Sequence, residues 1–321
     1  MIGFTDNTES QQRQYIDAEA VFNELRRVRR EAAQTRGGMI WREIAGRRYL
    51  IRTSPAGRHK SLGPESPSTR ELHDKFIARK EAAAQRLASI EGAADEQRRL
   101  NRALRVGRVP NVVVKVLNAL EAAGFAEHFM VVGTHALYAY ESACGVRFLP
   151  KAMATRDIDL LLDTRKHLAF FSRMRASEAS FIGLLKKADK TFARLEDRKE
   201  TARNAEGFEV DVIRRIAKGD DPHPLRLSDE EEDIWAAQAS TGDRILGAPR
   251  FSQMVVATNG EMAMMHTMHP LAFAQVKRSL AALPIRDPRK VSKDLMQAEC
   301  VEELLHTRMP PSAAERPQMS H

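Results

Sequence analysis

Between residues 157 and 162 the chain reads Asp-Ile-Asp-Leu-Leu-Leu, preceded by Arg156. In a β-strand, residues two apart face the same way. Asp157 and Asp159 therefore project together, while Ile158 and Leu160 point into a core. Two carboxylates side by side on so apolar a strand repel each other and are costly unless a cation neutralises them. A divalent metal does so naturally, and oxygen ligands on adjacent carboxylates suit magnesium. The plainer reading is a strand edge with solvated carboxylates, which the run of Ile and Leu disfavours.

A second segment, Gly207-Phe208-Glu209-Val210-Asp211-Val212-Ile213, repeats the alternation. Glu209 and Asp211 share one face, opposite Phe208, Val210 and Val212. If this strand lies beside the first, Asp211 completes a three-carboxylate cluster. Such a cluster can hold two metal ions and clamp the attacking and leaving oxygens of a phosphoryl transfer, and Asp211 can deprotonate an attacking hydroxyl. The bland alternative for Asp211 is a salt bridge to Arg214 or Arg215. Upstream, Met130-Val131-Val132-Gly133-Thr134-His135 reads as a buried strand, a tight turn and a helix over 134–142. Gly133 allows the backbone to approach a ligand, the helix N-terminus offers free N–H groups to a phosphate, and Thr134 adds a hydroxyl. His135, next in sequence, either reaches a phosphate or, as the default expectation, sits on the helix surface. Lys277 falls on the apolar stripe of Phe273, Val276 and Leu280. A lysine there either snorkels from the edge of the face or needs an anion, which a triphosphate supplies. Arg286, Lys290 and Lys293 are weaker basic candidates, with Asp294 a partner for one of them. The histidines form no zinc spacing.

The rest of the pattern divides the chain near residue 105. Residues 1–10 are polar and expected to fray. A helix is predicted over 12–33, then a hairpin from strands 39–44 and 48–52, then Ser-, Pro- and Gly-rich residues 53–66, which form either a third strand or a basic loop. Ser66-Pro67 opens a long helix to about Leu104 whose narrow apolar stripe suits antiparallel packing on one neighbour, or a dimer. Beyond 105, helices alternate with strands at 129–132, 156–162, 208–213, 253–258 and 262–268. Asn259-Gly260 turns the last two into a hairpin, and helices follow Pro270 and Pro288. The expected fold class is α/β in the broad sense, strictly α+β. It comprises a small mixed sheet bearing the acids, a helical C-terminal part, and an N-terminal extension of helix, hairpin and long helix. The expected organisation is a basic region over 1–104, a core with C-terminal helices over 105–308, and a disordered tail over 309–321.

Charge sharpens this division. The net charge is +8, and residues 1–110 hold 22 Lys and Arg against 14 Asp and Glu, while the remainder carries 29 of each. A basic region of this kind either attracts nucleic acid or is a solvated Arg-rich surface. Two cysteines, Cys144 and Cys300, form no framework or zinc motif, and no apolar run is long enough to span a bilayer. With no secretory pattern at the N-terminus, the expected location is the cytoplasm.

In their order, Gly133-Thr134, Asp157-Ile158-Asp159 and Asp211 resemble the DNA polymerase beta superfamily of nucleotidyltransferases. More closely, the chain is similar to a bacterial group within it. The similar stretches are residues 132–141, Ser61 to Pro64, Asn259-Gly260, Pro270 to Lys277, Arg286 to Lys290, Lys293-Asp294 and Gln297-Ala298. The chain departs from the wider superfamily in having Thr134 where Ser or Gly is usual, and in an insertion over 144–155. The resemblance implies a polymerase-beta-like fold and transfer of a nucleoside monophosphate from a nucleoside triphosphate to an acceptor hydroxyl on RNA, protein or a small molecule. It also implies Mg²⁺ as cofactor at a two-metal site on Asp157, Asp159 and Asp211, with Gly133, Thr134 and Lys277 on the nucleotide. The superfamily includes toxins, so a defence role is carried as a further expectation. The rival is a nucleic-acid-binding protein with an inactive transferase fold.

Overall fold

The computed structural model describes residues 3–54, 57–177 and 179–309. The expected disordered tail therefore lies, from residue 310 on, outside the described residues. Residues 4–6 do not fray: β1 (Phe4–Asp6) pairs antiparallel with residues 146–148. Phe4 explains this, since its ring is buried edge-on against Phe148, with centroids 6.2 Å apart. Two compact units follow, one of Arg13–Leu104 and the other of Met1–Gln12 with Arg105–His321.

Most of α1 (Glu9–Gln34) belongs to the smaller unit, with β2 (Gly38–Ile44), β3 (Arg47–Thr53), β4 (His59–Pro64) and α2 (Pro67–Ala103). Ala45 and Gly46 both take positive φ, 51° and 73°, the geometry of a two-residue hairpin turn. The Ser- and Gly-rich stretch supplies a third strand, and the sheet order is β2-β3-β4. Ser66 caps α2, accepting from the Thr69 N–H while the Thr69 hydroxyl accepts from the Ser66 N–H, a reciprocal capping box. α2 runs antiparallel along α1: Gln14 bonds Gln97 and Asn101 at one end, and Arg86 pairs with Glu24 and Glu31 further along. Within the chain, α1 thus covers part of the narrow stripe.

In the larger unit, α3 (Asn111–Ala122) precedes β5 (Phe129–Val132), α4 (Leu137–Cys144), β6 (Val146–Phe148), α5 (Pro150–Met153) and β7 (Asp157–Leu162). Next come α6 (His167–Ser177), α7 (Phe181–Ala188), β8 (Ala193–Arg194), β9 (Thr201–Arg203), β10 (Glu209–Arg215), β11 (Leu225–Arg226) and β12 (Trp235–Ala239). The chain then forms α8 (Gly242–Gly247), β13 (Arg250–Val256), β14 (Met262–Met268), α9 (Pro270–Ala281) and α10 (Pro288–Thr307). The main sheet has seven strands along the path β11-β12-β10-β7-β5, with β9 also on β10 and β8 on β9. β7 and β10 are parallel and β5 is antiparallel to β7, so this is a mixed sheet with helices packed on it, an α+β fold. β7 is flanked on both sides, hence its fully buried Ile158, Leu160, Leu161 and Leu162. The residues between α4 and β7 are structured, contributing β6 and α5. No helix among the described residues is long and apolar enough to cross a membrane.

Candidate active site

The parallel register of β7 and β10 sets Asp157 opposite Glu209 and Asp159 opposite Asp211. The side-chain period of two then puts all four acids on one face of the sheet. On the other side of β7, Val132 of β5 pairs with Asp159, and the chain leaves the sheet at Gly133 with φ +65°. A β-carbon at Gly133 would overlap the Asp159 carboxylate, so glycine is required both by the left-handed backbone and by the acid beside it.

Asp157, Asp159 and Asp211 each offer a carboxylate oxygen such that all three atoms lie within 4.8 Å of one another. Glu209 stands apart from them, held by Arg198 at 2.8 Å and by Arg203. The Thr155 hydroxyl donates to Asp157, and the Thr201 hydroxyl donates to Asp211 Oδ1 at 2.5 Å. Asp211 meets neither of the arginines suggested by sequence; Arg215 pairs instead with Asp221 at 2.6 Å. Burial, and then the neighbouring charges of Asp157 and Asp211, push the Asp159 carboxyl up to about 7. Lys277 and Lys290 oppose this only weakly. Asp211 is also raised, chiefly by burial, against the pull of the Thr201 hydroxyl. A half-buried, all-oxygen, mutually repelling donor set is chemically matched to a hard divalent cation.

Beside the carboxylates lies an open-sided cavity of about 270 Å³ whose lining also includes Lys277, Arg286, Lys290, Lys293 and Asp294. Lys277 is buried, and its anion is part of the chain: Nζ donates to Asp294 Oδ1 at 2.8 Å. Arg286 takes the other oxygen of Asp294 at 2.6 Å. Lys293 donates to the Ala154 carbonyl at 2.7 Å, and burial and the charge on Lys277 lower its pKa.

Two expectations about the turn need correction. Residues Gly133–Ala136 form a 3₁₀ turn, and the α-helix proper begins only at Leu137. His135 is not on a helix surface. Its ring is buried against Tyr138 and Phe208, and burial pushes its pKa down to about 4, which keeps it neutral. Sequence reasoning also missed the role of Gln297. This fully buried amide donates to the Thr134 hydroxyl oxygen at 3.1 Å and to the Ala152 carbonyl at 2.6 Å, fixing the turn against the segment before β7. A signal was present, because Asp294 and Gln297 continue the helical stripe of Ala298, Val301 and Leu304 as polar members of a buried face. Cys300 is buried and Cys144 partly so.

No curated protein and no solved structure matches the chain. A family model described as nucleotidyltransferase matches residues 111–319, a span that takes in the Gly133 turn, all three aspartates and the basic lining residues, and the chain belongs to that family.

Proposed function

We propose that the protein transfers a nucleoside monophosphate from a nucleoside triphosphate to an acceptor hydroxyl, with release of pyrophosphate. The observation that carries this reading is the convergence of Asp157, Asp159 and Asp211 beside the Gly133 turn, in a chain of the nucleotidyltransferase family. The three carboxylates would hold Mg²⁺, which when bound offsets charge developing on the phosphoryl oxygens. The Thr134 hydroxyl accepts its hydrogen bond from Gln297, which leaves its own hydrogen to donate to a phosphate oxygen. Gly133 lets the backbone N–H groups of the turn approach the phosphates. Asp211, with its raised pKa, accepts the proton of the attacking hydroxyl as the new oxygen–phosphorus bond forms and the bond to the leaving pyrophosphate breaks. Lys290, Lys293 and Arg286, which line the same cavity, balance the charge of the leaving group. Catalysis of this kind is mostly positioning and charge neutralisation.

The basic excess within residues 1–110 favours a nucleic-acid hydroxyl as acceptor. An inactive nucleic-acid-binding fold would have no need of three carboxylates gathered within 4.8 Å of one another at the cost that their repulsion imposes. The test is calorimetric titration of Mg²⁺ and each nucleoside triphosphate into the protein and into an Asp157→Asn/Asp159→Asn variant. The expected result is metal-dependent binding of a triphosphate, lost in the variant; absence of binding to the intact protein overturns the reading.

A further inference from the structure

A second cavity, of about 240 Å³, opens on the same face of the sheet as the carboxylates. Ile213, two residues beyond Asp211 on β10, forms part of its floor. Phe273, Val276 and Leu280 line it from one face of α9, and Ile245 of α8 and Met268 of β14 close it. Thr241 is the one polar side chain among its described lining residues apart from a rim of Asp159, Lys277 and Arg286. That rim, with Gly133, also lines the carboxylate cavity, so the two spaces adjoin. Protein interiors hold few voids larger than a water molecule. An apolar cavity of roughly 150 Å³ already accepts an aromatic ring, and this one is larger and lies beside a polyanion site.

Resting on the nucleotidyltransferase reading, we propose that this cavity seats the nucleobase of the triphosphate. The occupant must join a flat, weakly polar body to an anionic part across the shared rim, and a nucleotide has that construction. Ile213 and Leu280 offer partly exposed apolar surface to the face of a base, backed by the buried Phe273 and Met268. With one hydroxyl, Thr241, available to the base edge, the cavity selects by size and stacking rather than by a pattern of donors and acceptors.

The experiment compares Mg²⁺-dependent binding of inorganic tripolyphosphate with that of the four nucleoside triphosphates, by calorimetry, in the wild type and in Leu280→Trp and Ile213→Trp. Both variants place a bulky ring in the cavity from a partly exposed position. In the wild type, at least one nucleotide binds tighter than tripolyphosphate by on the order of tenfold or more. In the filled variants tripolyphosphate binds as before and that advantage disappears. Retained tripolyphosphate binding certifies the fold, so either variant that keeps it decides the matter. A nucleotide advantage that survives filling, or no advantage in the wild type, overturns the proposal and leaves the cavity to the acceptor. If the wild type binds neither ligand, the nucleotidyltransferase reading itself fails.

Discussion

Asp159 and Asp211 face each other across a parallel strand pair, at the centre of the sheet and on the same face. Asp211, together with Asp157, raises the cost of ionising Asp159 on top of burial, and Asp159 holds its proton up to about pH 7. Its folded-state pKa lies above the unfolded value, so its contribution to stability is complete at low pH and is lost as pH rises towards 7. In metal-free protein at about pH 8, Asp159→Asn is therefore expected to melt above the wild type, by roughly 3–6 °C. Added Mg²⁺ should raise the wild-type melting temperature, more at about pH 8 than at about pH 6, because metal and proton compete for the same oxygens. The variant should show little response. Equal metal responses in the two proteins would remove Asp159 from the metal site.

Gly133→Ala carries two penalties. The left-handed backbone costs a β-carbon about 1–2 kcal/mol, and the same carbon overlaps the Asp159 carboxylate. Denaturant unfolding should show a loss of that order, with metal and triphosphate affinity falling by more than the stability change explains. A variant that loses stability yet binds metal normally would show that the carboxylate yields freely, and that the close approach has no bearing on the site.

What could be read from the sequence follows from the range of the forces involved. The Asp157–Leu162 and Glu209–Arg215 strands were legible because alternation of acid and apolar residues is local, and so were the Asn259-Gly260 hairpin and the helices opened by Pro270 and Pro288. The parallel pairing that puts Asp211 opposite Asp159 was conditional, since register is set by contacts distant in sequence. β1 was missed because a three-residue strand has no periodicity; only the burial of Phe4 identifies it. His135 was misassigned to the surface because a polar ring beside a turn looks solvated until Tyr138 and Phe208 are seen to enclose it. The anion of Lys277 was sought outside the protein, whereas Asp294, seventeen residues on, supplies it.

Gln297→Leu tests the tether behind the turn. The substitution keeps bulk but leaves the Ala152 carbonyl and the Thr134 hydroxyl without their buried donor. Leaving a buried group unsatisfied costs about 1–3 kcal/mol, which denaturant melts should register. Triphosphate affinity should fall with it, because the Thr134 hydroxyl can then turn its hydrogen elsewhere. Mg²⁺ binding alone should change little, since Gln297 does not touch the carboxylates. Loss of stability with unchanged triphosphate affinity would make Gln297 a purely structural residue.

The Lys277–Asp294–Arg286 network makes a sharper prediction, because its members are unequal. Asp294 serves two cations, Lys277 at 2.8 Å and Arg286 at 2.6 Å. Breaking a buried ion pair by removing one partner costs about 3–5 kcal/mol. Asp294→Leu strands a buried ammonium and should fall at the upper end of that range. Lys277→Met leaves Asp294 still paired with Arg286 and should fall at or below the lower end. In Lys277→Met/Asp294→Leu no buried charge is left alone, because Arg286 is partly exposed and can turn to water. The double variant should therefore be more stable than Asp294→Leu, although it carries one more substitution. Denaturant unfolding of the three proteins measures the ordering directly. A double variant less stable than both singles would mean that the residues act independently, and that packing of the Lys277 stem, rather than its charge, holds α9 against α10.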